Sequence, residues 1–447
     1  MITARLALFA LSAVLLFGSA GPSTLGSAGP PAHGSVGVVQ PFRAAPAGPV
    51  QDQQPPPPKF KSTTALVEVD AIVLDKDGKF FPGLKAEDLE LREEGKPQQI
   101  QQFYMVTHDR AQRSDLPEAA QMPDALPANH RVFVLLFDEG HLANDSLLRT
   151  KAGAEDFIRE QLGPGDIGGV FVDGGMYKGR MTSDRLELVA GVRAVHPAFD
   201  NRQALLAPFR EWPKVPSEVD ATRIADGARE VVEDLATKAC NEDRVGCQSA
   251  GGIGAIQNQI EMKSRLYVRQ ARTLTSQTLQ NLRVATRGLA HFPGRKTVVF
   301  ISEGFYVEES RSALEQISAQ ASRAGITIYS IDGRGNINTM SANPDVVRAE
   351  RARSIALDTG TDGPTILTAG TGGFMVSGID DMSRAFGMVV RDTSTYYVIG
   401  YQPASMKMDG KFRRIELKSK VPGLKIRARR GYAALELPPQ DAIWNIK

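Results

Sequence analysis

Three carboxylates stand at the ends of apolar runs, and they are the side chains best placed to do chemistry. Asp138 follows Val132 to Phe137, Glu303 follows Thr297 to Ser302, and Asp332 closes Ile326 to Ile331. Apolar runs of six or seven residues are too short for ordinary helices and read as strands buried on both faces, so each acid sits at a strand's carboxyl end. In open α/β sheets that edge is where ligands bind. A carboxylate there can hold a hard divalent cation, serve as a base, or accept hydrogen bonds from loop amides. His141, three residues beyond Asp138, could act as base or ligand, but a solvent-facing loop histidine is the simpler reading. Asp138, His141, Glu303 and Asp332 form the candidate binding set.

Other chemistry finds little support. The sequence has no Gly-x-Ser-x-Gly elbow, no His-Glu-x-x-His and no Gly-x-x-x-x-Gly-Lys phosphate loop. Asp332-Gly333-Arg334-Gly335-Asn336 reads as a turn at the same edge, and Gly370-Thr371-Gly372-Gly373 as a turn before a last strand. His196 and His291 lie at helix ends, in capping or packing positions. With 53 basic against 51 acidic residues, overall charge gives no argument for nucleic acid as a partner. The two cysteines, Cys240 and Cys247, are close enough for a local disulfide; a zinc site is the weaker idea because no histidine is near in sequence.

The elements that position these residues fall into blocks. Residues 1–20 carry a positive start, an apolar core and small residues at Gly18-Ser19-Ala20, the pattern of a cleaved signal peptide. An uncleaved anchor is the rival, though the apolar run is shorter than the roughly 20 residues that span a bilayer. Residues 21–60 form a Pro- and Gly-rich tether. Period-two patterns over 61–107 and 393–437 indicate two β-strand segments that pack together, since each has few strands to bury alone. Between them, 130–392 alternates strands and helices, with a helical insertion at 217–290 opened by Ser217. Ser183 is expected to cap the helix through Val195, and the long loop from Gly333 to about Thr365 is expected to be functional, partly helical or disordered.

At this point the chain resembles a von Willebrand factor type A-like domain, in particular the VWFA-related domain proteins of the acidobacterial type. The resemblance rests on Phe81-Pro82-Gly83-Leu84 with Asp88, the strand ending at Asp138, Leu162-Gly163-Pro164-Gly165-Asp166 and the run from Gly294 to Gly304. It continues through Tyr396 to Tyr401, Asp409 to Arg413, and Arg429-Arg430-Gly431-Tyr432. It implies a Rossmann-like α/β fold: one doubly wound, mostly parallel sheet of order 3-2-1-4-5-6, with the β-strand module at its flank. Asp138 and Glu303 would then flank the switch point. It also implies a metal-ion-dependent adhesion site for Mg²⁺ or another divalent cation, here degenerate. Gly140 and Leu142 stand where serines belong, Glu303 replaces an aspartate, and no threonine is found in 198–206. Asp138, Ser302 and Glu303 are the remaining metal candidates, with Asn144, Asp145 or Ser146 as helpers.

The function expected is that of an exported, non-catalytic adhesion or binding protein, periplasmic or secreted, whose partner is a protein or cell-surface ligand. No stable membrane insertion is expected after signal cleavage. A metal-assisted envelope hydrolase and a scaffold that binds through its helical insertion are the alternatives.

Overall fold

The apolar runs become strands where side-chain alternation can bury both faces. The computed structural model describes residues 66–107, 131–199, 201–290, 292, 295–305, 310–336, 363–437 and 445–446. The stretches expected to be a signal peptide and a tether, His291 and most of the loop after Asn336 lie outside the described residues, and the described residues all belong to the unit Thr63–Lys447. Along the chain come β1 (Val67–Leu74), β2 (Leu89–Glu93), β3 (Lys96–Gln98), β4 (Ile100–Thr107) and β5 (Val132–Phe137). Helix α1 (Asn144–Asp156) leads to β6 (Ile167–Val172), β7 (Gly175–Met176), β8 (Arg180–Met181) and α2 (Arg185–Ala194). Then follow α3 (Arg202–Arg210), α4 (Glu218–Ala225), α5 (Arg229–Glu242), α6 (Arg244–Ser249) and α7 (Ile253–Leu289). The remainder is β9 (Lys296–Ser302), α8 (Arg311–Arg323), β10 (Ile326–Asp332), helical residues 363–371, β11 (Met375–Val376) and α9 (Met382–Ser394), then β12 (Thr395–Tyr401), β13 (Phe412–Ser419), β14 (Lys425–Ala428), β15 (Gly431–Ala433) and β16 (Asn445–Ile446).

These strands make several sheets. One has the order β14-β1-β12-β4 and another β15-β13-β2-β3, and every pairing in both is antiparallel. Each joins strands from before residue 108 with strands from after residue 394. The third, β11-β10-β9-β5-β6-β7, is mixed: β6 and β7 run antiparallel while its other neighbours are parallel. A parallel pair, β16 with β8, completes the set. The expectation of one doubly wound, mostly parallel sheet is therefore corrected. The strands are spread over separate sheets, two of them wholly antiparallel, with a mixed sheet among the helices.

In the mixed sheet, β5 shows why the apolar runs form where they do. Val132, Val134 and Leu136 point into the core shared with α7 and α8, while Phe133, Leu135 and Phe137 point into the core shared with α1, α2 and α9. Period-two alternation with both faces covered accepts only apolar residues, so a continuous run results. At the amino end, the Arg131 guanidinium grips Asp166 through two hydrogen bonds of 3.0 and 2.5 Å and fixes the loop before β6.

Helices α3 to α7 form a further body with its own core, including Leu205, Phe209, Ile224, Leu235, Ile256 and Tyr267. Helix α7 has 37 residues and so runs about 55 Å. Its buried stripe passes from Ile256 and Ile260 in that core to Leu282 and Leu289 against the mixed sheet. One helix therefore serves both bodies. The insertion expected at 217–290 opens with two helices, α4 and α5, separated at Gly227, which has φ +98°. Ser217 does cap α4, accepting from the Asp220 amide at 3.0 Å, whereas the residue that caps α2 is Asp184 rather than Ser183. Cys240 and Cys247 are joined as a disulfide that ties α5 to α6.

Candidate functional site

Asp138 sits where β5 ends, and its backbone amide still pairs with Ile301 of β9, so the carboxylate is held by the ladder itself. One carboxylate oxygen accepts from Thr278 of α7 at 2.7 Å and the other from Ser302 of β9 at 2.7 Å. The His141 Nδ1 lies 3.1 Å from both oxygens and 3.2 Å from the Thr278 hydroxyl. The chain turns back immediately, with the amides of His141 and Leu142 both bonded to the Asp138 carbonyl. Asp138 and His141 are each only 3% exposed, so the expectation of a solvent-facing histidine is corrected: hydrogen bonding to Asp138 and packing on Phe305 draw the ring inside.

Glu303 is buried beside this cluster but does another job. Its Oε1 accepts from the Ala143 amide at 3.0 Å, at the start of α1, where Ala143 has no side chain with which to cap. A carboxylate at a helix amino end satisfies an orphan amide and complements the helix dipole. Ser302 also accepts from the Gly304 amide at 3.0 Å, so its hydroxyl joins β9 to the loop that follows it.

The helical body closes the cluster from above. The Arg202 amide bonds to the Gly140 carbonyl at 2.8 Å, and a Cβ on Gly140 would approach the Leu274 side chain to 3.1 Å. Glycine at 140, where the adhesion pattern has serine, thus allows α7 to approach closely. Next to it, Glu218 accepts from both Arg202 and Tyr267. Burial pushes the Glu218 carboxyl up, but the Arg202 guanidinium outweighs it and holds the pKa below the usual carboxylate range. On the rim, burial pushes Glu139 up to about 7, despite a hydrogen bond from the Asp173 amide.

Asp332 stands apart from this cluster. The Arg334 guanidinium clasps its carboxylate at 2.8 and 2.5 Å, and Arg149 holds the same turn through the carbonyls of Gly333 and Arg334. His196 is exposed and lies 3.5 Å from Asp173.

The candidate metal set can be judged on its donors. Mg²⁺ takes six oxygens at octahedral angles and keeps several waters. Here both oxygens of Asp138 are taken by hydroxyl and ring groups, one oxygen of Glu303 by an amide, and Gly140 and Leu142 offer no side-chain oxygen. Among the described residues, no group of three or more His, Cys, Asp or Glu converges on a common point. The arrangement does not fit such an ion.

Thr278 is the site residue that sequence reasoning did not find. Its signal was weak: one of several hydroxyl residues, with Ser264, Thr275 and Thr286, in the otherwise apolar stripe of α7.

Comparison with known proteins adds little. No protein-family model matches this chain, and no curated protein matches it. Among solved structures, proximal thread matrix protein 1 from the mussel byssus aligns at 13% identity with a TM-score of 0.27, over 60% of this chain and 47% of its own. The chain thus spans about half the length of that protein. Among the described residues no helix is long and apolar enough to cross a membrane.

Proposed function

We propose that this chain is an exported, non-catalytic binding protein that meets its partner through the helical body α3–α7. The observation that carries this reading is the hydrogen bond from Thr278 to Asp138: the crevice that would receive an external ligand is filled by the chain's own side chains. Asp138, His141, Glu303 and Asp332 are each under 5% exposed and out of a partner's reach as placed. The helical body, by contrast, presents large apolar side chains to solvent, among them Val245 at 75% and Met262 at 66% exposure. Isolated exposed apolar residues are ordinary, and Leu186 and Phe199 elsewhere are as exposed, so the filled crevice carries the reading and these side chains are the positions at which to test it. A hydrolase reading would require an open coordination position beside Asp138, and the hydroxyls of Thr278 and Ser302 stand there instead.

The test is a photocrosslinking scan in the producing cell, with the reactive side chain placed in turn at Val245, Met262, Glu139 and Asp173. Adducts from the first two positions alone support contact through the helical body. Adducts from Glu139 and Asp173 alone would return the contact to the crevice rim and sink the reading.

A further inference from the structure

Helix α7 carries six basic side chains (Lys263, Arg265, Arg269, Arg272, Arg283 and Arg287) and one acidic side chain, Glu261. The whole chain has a net charge of only +2, so this excess is a local feature. Position on the helix makes it sharper. At about 100° per residue, Arg265, Arg269, Arg283 and Arg287 fall within an arc of about 40° and extend over about 33 Å. Met262 and Leu266, one turn apart and 66% and 45% exposed, flank the amino end of this stripe, about 20° and about 60° beyond its edge. Arg265 is paired with Glu261 at 3.0 Å, whereas Arg269, Arg283 and Arg287 make no ion pair among the described residues. The opposite face of α7 is fully engaged in two cores, so the stripe is not needed for folding.

We infer that this stripe docks an acidic amphipathic helix of another polypeptide. The inference rests on the reading that the helical body makes the contact, and it names the partner's chemistry. Carboxylates along the partner would face the arginines, and apolar side chains would cover Met262 and Leu266. Charge complementarity of this kind sets register and speeds encounter, while the apolar anchors slow release. Two adjacent apolar anchors favour a polypeptide over a polyanion such as polyphosphate, which has no apolar group to offer them. A lipid surface would call for a broad apolar face, and the rest of this stripe is arginine, serine and glutamine.

The experiment is fluorescence anisotropy of a labelled synthetic helix, glutamate-rich with leucines at helical spacing, titrated with the mature chain at low and moderate salt. A version with the leucines replaced by serine, sodium polyphosphate and anionic phospholipid vesicles form the other arms. Arg269→Glu combined with Arg283→Glu should weaken binding of the acidic helix about tenfold or more, and Met262→Ser with Leu266→Ser several-fold, as should the serine version of the probe. All these positions are exposed or half-buried, and circular dichroism verifies the fold of each variant. Polyphosphate or vesicles binding as tightly as the helix, with no effect of Met262→Ser and Leu266→Ser, would overturn the polypeptide assignment. Binding of the helix unchanged by the arginine variants, or no binding at all, would overturn the stripe itself. If crosslinks from Val245 persist in that case, contact through the helical body stands while this inference falls.

Discussion

Strand β9 has two ends, and the chain finishes them differently. At its carboxyl end Ser302 and Asp138 meet the helical body through a small network in which every oxygen of the Asp138 carboxylate has a donor. At its amino end Arg295 and Lys296 face the antiparallel sheet of β1 and β12. There Arg295 lies over the Tyr396 ring at 4.3 Å and 3.6 Å from Asp70, yet its Nε and Nη1 have no hydrogen-bond partner among the described residues. Lys296 makes one bond, to the Phe292 carbonyl at 2.8 Å, and burial pulls its pKa down to about 8 against the opposing effect of Asp70 and Glu68. The first seam is satisfied and should resist opening; the second leaves two Arg295 nitrogens without hydrogen-bond partners among the described residues and buries the Lys296 ammonium. Buried polar groups contribute stability only when their hydrogen-bonding capacity is met.

The comparison can be broken most directly at Asp138. Asp138→Ala strands two hydroxyls and a ring nitrogen, and the expected loss is about 3 kcal/mol or more in a denaturant melt. A loss below about 1 kcal/mol would mean the network fastens nothing.

Lys296 tests the other end with the opposite sign. Its folded pKa lies below its unfolded value, so the folded state gives up its proton first, and stability should rise between pH 8 and about 10.5. The gain across that window is about 3 kcal/mol, from 1.36 kcal/mol per pKa unit. Lys296→Met should flatten the rise and stabilise the protein at pH 7; a melt that is pH-independent in both forms contradicts the contrast between the seams.

Thr278→Val should cost about 1 kcal/mol, the worth of one buried hydrogen bond. It should also speed amide exchange in α3 to α7 more than in the mixed sheet, and uniform exchange would show that Thr278 does not hold the two bodies together. Smallest of all is the effect of added Mg²⁺, which should leave the melting temperature unmoved. A rise that Glu303→Gln abolishes would establish a metal in place of the hydrogen-bonded network.

Much of the strand pattern was legible because a strand covered on both faces has only apolar residues to offer. The runs before Asp138, through Ser302 and up to Asp332 therefore stand out on inspection. Their association into sheets was not. Alternation reports which side chains are buried, not which strand lies alongside, so beyond the expectation that 61–107 and 393–437 pack together, the division of their strands into two antiparallel sheets and the register of each pairing could not be read. The site divided in the same way. Asp332 stands in the candidate binding set although its partner Arg334 is two residues off, and Thr278 lies 140 residues from Asp138, inside a helix with several other hydroxyls. His141 was misjudged for a related reason: a loop position suggests water, and only the packing of Phe305 and α7 removes it.

The register of the antiparallel sheets ties distant parts of the chain together. Val67 lies opposite Tyr401 and Leu91 opposite Leu417, so β1 and β2 wait for partners synthesised more than 320 residues later. Long-range pairing of this kind is slow and leaves strand edges open until it is complete. During synthesis, then, β1 to β4 wait as unclosed edges, and a chain that stops short of β12 has nothing with which to cover them. Truncation at that point is expected to produce a sticky polypeptide, and a holdase that shields extended, half-apolar segments is the help this molecule needs most before it is finished.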